Sequence, residues 1–591
     1  MSDNSFIERR HINEKEEAIA YVKELIKKAQ KESRESDIHK LEKLIQIIDT
    51  KKYGLVWEEH SEKVEEEMQF KIPVFTENQE KKINSSSDTD KFNFLLEGDN
   101  LHSLHLLEKT HLGKIDVIYI DPPYNTGNKD FKYNDRFVRE DDSFKHSMWL
   151  SFMSNRLKLA KKLLKEDGVI FVSIGDEEFA QLKLLMDDVF GENSFKESLM
   201  IELSATTGNK VAAAKKGGLV KNGEYILVYS ASDFTNTNRQ PLFDLVPGFD
   251  THFSLFLNDD GSIEKTIDVL KNNLDLVKEF GRLADPKERF TLKSFAKYFD
   301  QSPVFSEFAK KNVARLARSR NEVPKIPEDV IAKLSEDNWI KYISDKRSDP
   351  YYLTIANNMP INLATMEPTY HWTDDFKPVF GRSTTRGDFW KGFWIDMGNI
   401  GKEGGVSLKN GKKPVRLIKQ LLKWANRPNG IVLDFFAGSG TTGEAVLELN
   451  SEDKGKREFI LATNDEVINT TYKRMQNINK KVPMNLKYYK TNFVVKEKFP
   501  NVFLEYELLR YVTPLVELEF GLDINNPKVQ IVLSEEQLET LINNNQLISN
   551  STLFMHPDIF IDQKQNQVLR ELQIEIQEIP NYFFGSELWI K

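Results

Sequence analysis

Residues 115–125 read Ile-Asp-Val-Ile-Tyr-Ile-Asp-Pro-Pro-Tyr-Asn. Apart from Asp116, Ile115 to Ile120 is an apolar run, the pattern of a strand buried on both faces of a parallel sheet. The run ends at Asp121-Pro122-Pro123-Tyr124. The two prolines stiffen the turn and remove two backbone N–H donors. What remains is a concentrated acceptor set, the Asp121 carboxylate and the Pro122 carbonyl, beside the flat ring of Tyr124. Open α/β sheets bind ligands at the carboxyl ends of such strands. The set suits an amino group held by its two hydrogens, with its planar ring stacked on tyrosine. Enzymes that act on a nucleobase take it out of the helix into a pocket of this kind. The plain alternative is a proline-rich turn that only caps a strand.

Outward from this strand, Phe92 to Leu96 is a short apolar strand ending in Glu97-Gly98-Asp99-Asn100. Downstream, an amphipathic helix carries Phe144, Met148, Phe152, Leu159 and Leu163 on one side, and Asp167-Gly168 is expected to stop it. Val169 to Ile174 reads as the next strand and Phe179 to Phe190 as the next helix. From about 201 to 400 the alternation fades into short strands, such as Tyr225 to Tyr229, and aromatic loops. It resumes with a helix from Val415 to Trp424, a strand from Ile431 to Phe436, a helix from Thr442 and a strand from Phe459 to Thr463. Alternating strands and helices indicate a doubly wound, mostly parallel α/β sheet, here interrupted by a long insertion. Residues 13–49 read as helical with a break at Lys31 to Asp37, and residues 76–91 as a polar linker.

The second motif is Asp434-Phe435-Phe436-Ala437-Gly438-Ser439-Gly440-Thr441-Thr442-Gly443, a strand running through a glycine-rich turn into a helix. Glycines allow close backbone approach, and the helix N-terminus favours negative charge. Gly438, Gly440 and Gly443 fit the dinucleotide fingerprint, so an NAD-dependent oxidoreductase is one reading and a purely structural glycine turn another. A P-loop NTPase is excluded because Glu444 stands where lysine is required.

The chain has 591 residues, room for about three to five domains at roughly 100–200 residues each. It has no cysteine, which excludes disulfides, thiolate metal sites and cysteine nucleophiles. No metal is expected. No apolar stretch approaches a membrane span and the N-terminus has no apolar core, so a cytoplasmic protein is expected. Of the net charge of −9, the residues from Thr491 onward carry −8. Three windows are basic: Lys210 to Lys221, Lys310 to Lys325 and Lys409 to Arg427. Each could be a solvated face; together they suggest a centrally held polyanion.

The combination of motifs resembles the N6-adenine or N4-cytosine DNA methyltransferases that use S-adenosylmethionine. Asp121 to Tyr124 looks like their catalytic tetrad, and Phe436-Ala437-Gly438-Ser439-Gly440 like their cofactor loop. The tetrad precedes the loop by 313 residues between aspartates, Asp121 and Asp434, the order of the β class. The resemblance is closer to the modification (Mod) subunits of type III restriction–modification systems. It rests on Leu96 to Leu101, Asp121 to Gly127, Gly168 to Glu177 and Lys412 to Ile418.

The resemblance implies a methyltransferase sheet of Rossmann type. Its expected organisation is an N-terminal helical region (1–75), a catalytic half (76–200), an inserted target-recognition domain (201–404), a cofactor half (405–490) and a C-terminal interaction domain (491–591). It implies that Asp121, Pro122, Pro123 and Tyr124 hold a flipped base of double-stranded DNA. Phe436, Gly438, Ser439, Gly440 and Thr442, with Asp434, would surround the cofactor's methionine part. Asp99 and Asn100 would lie at its adenine, and Lys413-Pro414 would close the pocket. Asp465, with Asn464 as a rival, would meet the ribose. Lys210, Lys215, Lys216, Arg315, Arg318 and Arg320 would contact DNA phosphates.

A Mod homodimer and a separate restriction (Res) subunit would be partners, and the acidic C-terminal region and N-terminal helices are the candidates for those contacts. The aspartate heading the tetrad leans toward adenine over N4-cytosine, and the missing cysteine argues against cytosine C5. A stand-alone or type II amino-methyltransferase and a non-enzymatic DNA-binding adaptor are the further alternatives. The paired aromatics Trp390 and Trp394 are expected in the core.

Overall fold

The computed structural model describes residues 14–579, apart from 32–34, 50–56, 87–88, 129, 135, 208–209, 232–238, 321–324, 345–349, 409–410 and 496–504. An eleven-stranded sheet lies at its centre. Six neighbouring strands run parallel in the order Asn485–Val495, Asn93–Glu97, Glu458–Thr463, Ile431–Asp434, Ile115–Ile120 and Leu164–Ile174. Gly223–Tyr229 and Phe195–Glu202 extend it antiparallel, and Phe389–Trp390 forms that edge. Lys71–Glu77 and Ile83–Asn84 pair antiparallel with Asn485–Val495 on the other side.

Period-two alternation sends side chains to both faces. Ile118, Ile120, Ile170 and Val172 join one core with Leu104, Trp149, Leu157 and Leu182 from the covering helices. Val117, Tyr119, Val169 and Phe171 join a second core with Leu417, Leu421, Val446 and Met475. Each fully buried Leu, Ile or Phe contributes roughly 1.5–3 kcal/mol, so both faces are strongly committed. Asp116, the acid inside the apolar run, is buried but satisfied. It accepts from the Ile431 backbone N–H at 2.9 Å and from Lys165 Nζ at 2.8 Å, tying neighbouring strands together at their amino ends.

The two motif strands, Ile115–Ile120 and Ile431–Asp434, are direct neighbours, with Val117 opposite Val432. From the first, the chain passes through the helix Lys145–Leu163 to the strand on one side. From the second, it passes through Thr441–Asp453 to the strand on the other. The crossovers depart in opposite directions, so a crevice opens beyond the carboxyl ends of this pair.

Several elements differ from the sequence reading. Lys71–Glu77 runs across the boundary expected at 75/76, and part of the expected linker pairs with the sheet as Ile83–Asn84. Asn485–Val495 likewise crosses the boundary expected at 490/491. The helix Glu505–Phe520, expected in a separate C-terminal domain, buries Val512, Leu515, Val516 and Leu518 in the first core. Asp167-Gly168 does not stop a helix. The helix ends at Leu163, and the pair sits in the following strand, where a register shift between Ile115/Leu164 and Val117/Val169 makes room for extra residues.

Within the insertion, Gly223–Tyr229 and Phe389–Trp390 belong to the central sheet. Between them, a lobe with its own sheets packs around Phe249, Phe253, Phe295, Phe299 and Phe305. The parallel strands Val529–Val532, Thr552–Met555 and Glu575–Glu578 form a further small unit around Val532, Leu538, Leu553 and Leu569. Two N-terminal helices, Glu14–Lys31 and Glu35–Asp49, lie on either side of the expected break. Among the described residues no helix is long and apolar enough to cross a membrane.

Candidate active site

Asp121 follows directly on its strand and projects at the mouth of the crevice. Its Oδ1 is buried and has no hydrogen-bond partner. Lys413 Nζ lies 3.2 Å away, an ion-pair distance, but its direction falls outside hydrogen-bond geometry. The ammonium donates instead to the Tyr124 hydroxyl and to Glu224 Oε2, both at 2.8 Å. The Tyr124 hydroxyl donates to the same Glu224 oxygen at 2.9 Å. Burial pushes the Asp121 carboxyl upward, against the pull of Lys413. Burial works to lower Lys413, yet the carboxylates of Asp121 and Glu224 together hold it above the ordinary lysine value. For Glu224 burial is likewise outweighed, and the ammonium keeps it below the usual carboxylate range.

The turn is braced from behind. The Pro123 carbonyl accepts from the indole of the fully buried Trp149 at 2.7 Å. Asn125 adopts φ +60°, a left-handed conformation that asparagine tolerates. Its amide donates to Glu178 at 2.6 Å and to the Lys145 carbonyl at 3.1 Å, and Glu178 also meets His146 at 2.7 Å. Gly175, at the end of the neighbouring strand, has a contact reason: a methyl there would strike the Glu177 carboxylate and come within 2.8 Å of the Tyr124 ring.

The glycine loop is held by buried polar groups. Asp434 accepts from the Phe436 N–H at 3.0 Å and from the Thr442 hydroxyl at 2.5 Å. Burial raises its carboxyl to about 7. Gly440, at φ +79°, opens the helix where a side chain would strike Thr471. Behind the loop lies Arg474, completely buried, which donates to Glu444 at 2.5 Å, Ser439 at 3.0 Å and Thr441 at 2.9 Å. Ser439, Thr442 and Asp434 therefore shape the loop. Glu444, the residue that excludes a P-loop, is half of a buried ion pair.

Asp99 caps the helix Asn100–Thr110, accepting from the Leu101 N–H at 2.8 Å. Arg156, fully buried, donates to Asn100 at 2.6 Å and to Glu62 at 2.7 Å, and reaches Asp99 at 3.3 Å. Asn100 in turn donates to the Phe435 carbonyl at 2.8 Å, joining this helix to the glycine loop. Asn464 and Asp465 are both exposed just past the Glu458–Thr463 strand, whose Thr463 pairs with Glu97. Pro414 caps the helix Val415–Ala425 and so carries Lys413 to the tetrad rather than to the glycine loop.

Among its described residues, the basic window 409–427 is not a free polyanion surface. Lys412 donates to the backbone carbonyls of Glu403 and Val406, Arg416 pairs with Asp396, Lys419 with Glu448 and Glu452, Lys423 with Asp374, and Arg427 with Asp167. In the other windows, Lys210 starts the short helix Lys210–Lys215, and Lys215 and Lys216 are exposed. Arg315 meets Asp259 at 3.1 Å, Arg318 lies 4.0 Å from Asp250, and Arg320 is exposed on the strand Leu316–Arg320. Trp390 is core at 3% exposed, whereas Trp394 is 41% exposed, contrary to the sequence reading, because it opens a single short turn at the surface.

Arg156, Glu178, Glu224 and Arg474 contact these motifs, and the sequence reading missed them. No local pattern marks them, since their partners lie 30 or more residues away.

A family model described as DNA methylase matches residues 115–473, more than half of the chain. The Mod subunit of the type III restriction–modification enzyme EcoPI from Escherichia phage P1 is 32% identical over 432 residues, covering 64% of this chain and 58% of that protein. The probable HindVI Mod subunit of Haemophilus influenzae is 32% identical over 397 residues, covering 62% and 48%. The type II methyltransferase M.KpnI of Klebsiella pneumoniae is 31% identical over 386 residues, covering 64% and 81%. The chain thus spans about half the length of the Mod subunits it matches. The NAD-dependent oxidoreductase reading falls here, because the glycine loop and the tetrad lie together inside one matched span. With both motifs on adjacent strands of one parallel sheet, the chain belongs to the DNA methylase family.

Proposed function

We propose that this protein transfers a methyl group from S-adenosylmethionine to N6 of adenine at a specific DNA sequence, as the modification and recognition subunit of a type III restriction–modification system. The observation that carries the reading is the buried Asp121 oxygen, which takes no hydrogen bond of good geometry from the Lys413 ammonium 3.2 Å away, at the carboxyl end of a strand next to the glycine-loop strand. An acceptor left open there suits an incoming amino group.

The residues present also fit the cofactor. Its sulfonium and ammonium are cations, and Asp121, Asp99 and Asp465 stand just past the carboxyl ends of strands of the same sheet as the glycine loop. Phe436, Gly438, Ser439, Gly440 and Thr442 would hold its methionine part, Asp99 and Asn100 its adenine end, and Asp465 or Asn464 its ribose. Bound S-adenosylmethionine would supply an electrophilic methyl group. The target amino group would donate its hydrogens to Asp121 and to the Pro122 carbonyl, with the base against Tyr124. Those bonds favour a pyramidal nitrogen whose lone pair is free to attack, so positioning does most of the work and no covalent enzyme intermediate is needed. The proton released from nitrogen has Asp121 as its nearest acceptor.

Lys215, Lys216 and Arg320 are the phosphate contacts best supported by exposure, and Lys210, Arg315 and Arg318 are further candidates. Such contacts position the duplex without reading sequence. A homodimer and a Res partner complete the proposed cytoplasmic assembly, with the acidic region 491–591 and the N-terminal helices as contacts. Deleting 529–591, which spares the helix packed on the first core, is expected to abolish Res binding; intact binding would refute that assignment.

The coverage of M.KpnI supports a second reading, a stand-alone type II enzyme. Long-read modification sequencing of DNA from cells expressing this chain alone separates the two. N6-methyladenine at one short motif on one strand is the type III outcome, and methylation of both strands of a palindrome is the type II outcome. Unmodified DNA, with purified chain that binds S-adenosylmethionine but methylates nothing, would sink both.

A further inference from the structure

Glu224 lies outside both motifs, on the strand Gly223–Tyr229, yet two groups of the site converge on one of its oxygens. Lys413 reaches Oε2 at 2.8 Å and the Tyr124 hydroxyl reaches it at 2.9 Å. The same ammonium stands 3.2 Å from Asp121 without hydrogen bonding to it. A lysine ammonium beside two carboxylates and a phenol has three hydrogens to place. Here two go to Glu224 and Tyr124. If all its attraction fell on Asp121, the acceptor meant for the target amino group would be taken.

Resting on the methyltransferase reading above, we infer that Glu224 is a positioning residue that draws the Lys413 ammonium off Asp121 and fixes the Tyr124 hydroxyl, keeping the Asp121 carboxylate open to the target amino group. Lys413 is then a two-sided element. It supplies positive charge that helps Asp121 remain ionised, and its anchor at Glu224 prevents a closed ion pair. The arrangement also explains why a cation sits in a pocket built for a hydrogen-bond donor: it neutralises two carboxylates without capping either completely.

The test uses the full chain and a duplex containing the motif found by sequencing, at saturating S-adenosylmethionine. Glu224→Gln keeps shape and removes the charge that anchors Lys413. We expect kcat to fall roughly 100-fold, the scale of a small misplacement at a reacting centre. The KM for DNA and the cofactor Kd should stay within about twofold, as for an interaction felt only in the transition state. Glu224→Asp, which keeps the charge, should fall between wild type and Glu224→Gln and covers the case in which the amide variant fails to fold. A wild-type kcat in Glu224→Gln, or a Glu224→Asp no faster than Glu224→Gln, overturns the inference while the function stands. A wild-type protein that methylates nothing overturns the function and this inference with it.

Discussion

Around the glycine loop, Asp434 takes hydrogens from Phe436 and Thr442, while Arg474 engages Ser439, Thr441 and Glu444. Around the tetrad, Asp121 keeps an oxygen without a donor, and the groups nearest it are held by Glu224. The loop is closed on itself before any ligand arrives; the tetrad is left incomplete on the side where a base would enter. A cofactor seat gains from being rigid in advance, since a preorganised site avoids ordering costs on binding. A catalytic acceptor gains from an empty coordination position, because its hydrogen bond has value only when the reacting group fills it.

The largest expected effect comes from removing the open acceptor. Asp121→Ala should lower methyl transfer by at least about 1,000-fold, the upper range for deleting a catalytic hydrogen-bonding group. Cofactor binding, measured by titration calorimetry, should persist; loss of both would erase the distinction between the two regions. On the closed side, Arg474→Met leaves Glu444 buried without its partner. A cost of roughly 3–5 kcal/mol is expected from breaking a buried pair, read as a fall in the urea midpoint. An unchanged midpoint would mean that the loop is not braced from behind.

Asp434 sharpens the contrast through pH. Burial raises its carboxyl from 3.8 to about 7, so between those values the folded chain binds a proton that the unfolded chain has released. Its contribution is fully present below the unfolded value and is lost as pH rises through the folded one. Asp434→Asn should therefore lose less stability than wild type between pH 4.5 and 8, by a difference on the order of 2–4 kcal/mol. Parallel pH profiles would show that the carboxyl is not held in this way. The smallest effect is expected at Gly175, where a methyl would meet the Tyr124 ring at 2.8 Å. Gly175→Ala should slow methyl transfer roughly 10- to 100-fold with cofactor affinity unchanged, because the displaced Tyr124 ring belongs to the tetrad and not to the glycine loop.

The two motif strands were legible because their signals are local. An apolar run stopped by Asp-Pro-Pro, and a strand entering a glycine turn, declare themselves within ten residues. What ties the site together was not. Glu224 meets Lys413 across 189 residues and Arg156 meets Asn100 across 56, and neither pairing has a pattern in the chain. The window 409–427 misled for the same reason: it contains no acid, so its cations looked free, while Asp396, Glu448, Asp374 and Asp167 come to them from elsewhere. Lys71–Glu77 was obscure because its partner strand in the sheet lies more than 400 residues away.

The pairing of Ile115–Ile120 with Ile431–Asp434 bears on how the chain is made. One edge of the tetrad strand can be covered early, by Leu164–Ile174. The other waits for the ribosome to deliver about 300 more residues, on the order of 15–60 s at typical elongation rates. For that interval a strand of Val, Ile and Tyr presents bare backbone, a template for any other extended chain. Nascent protein, rather than the finished chain, is thus the form most exposed to aggregation, and its yield in cells should depend on chaperones that shield that edge until the second half emerges.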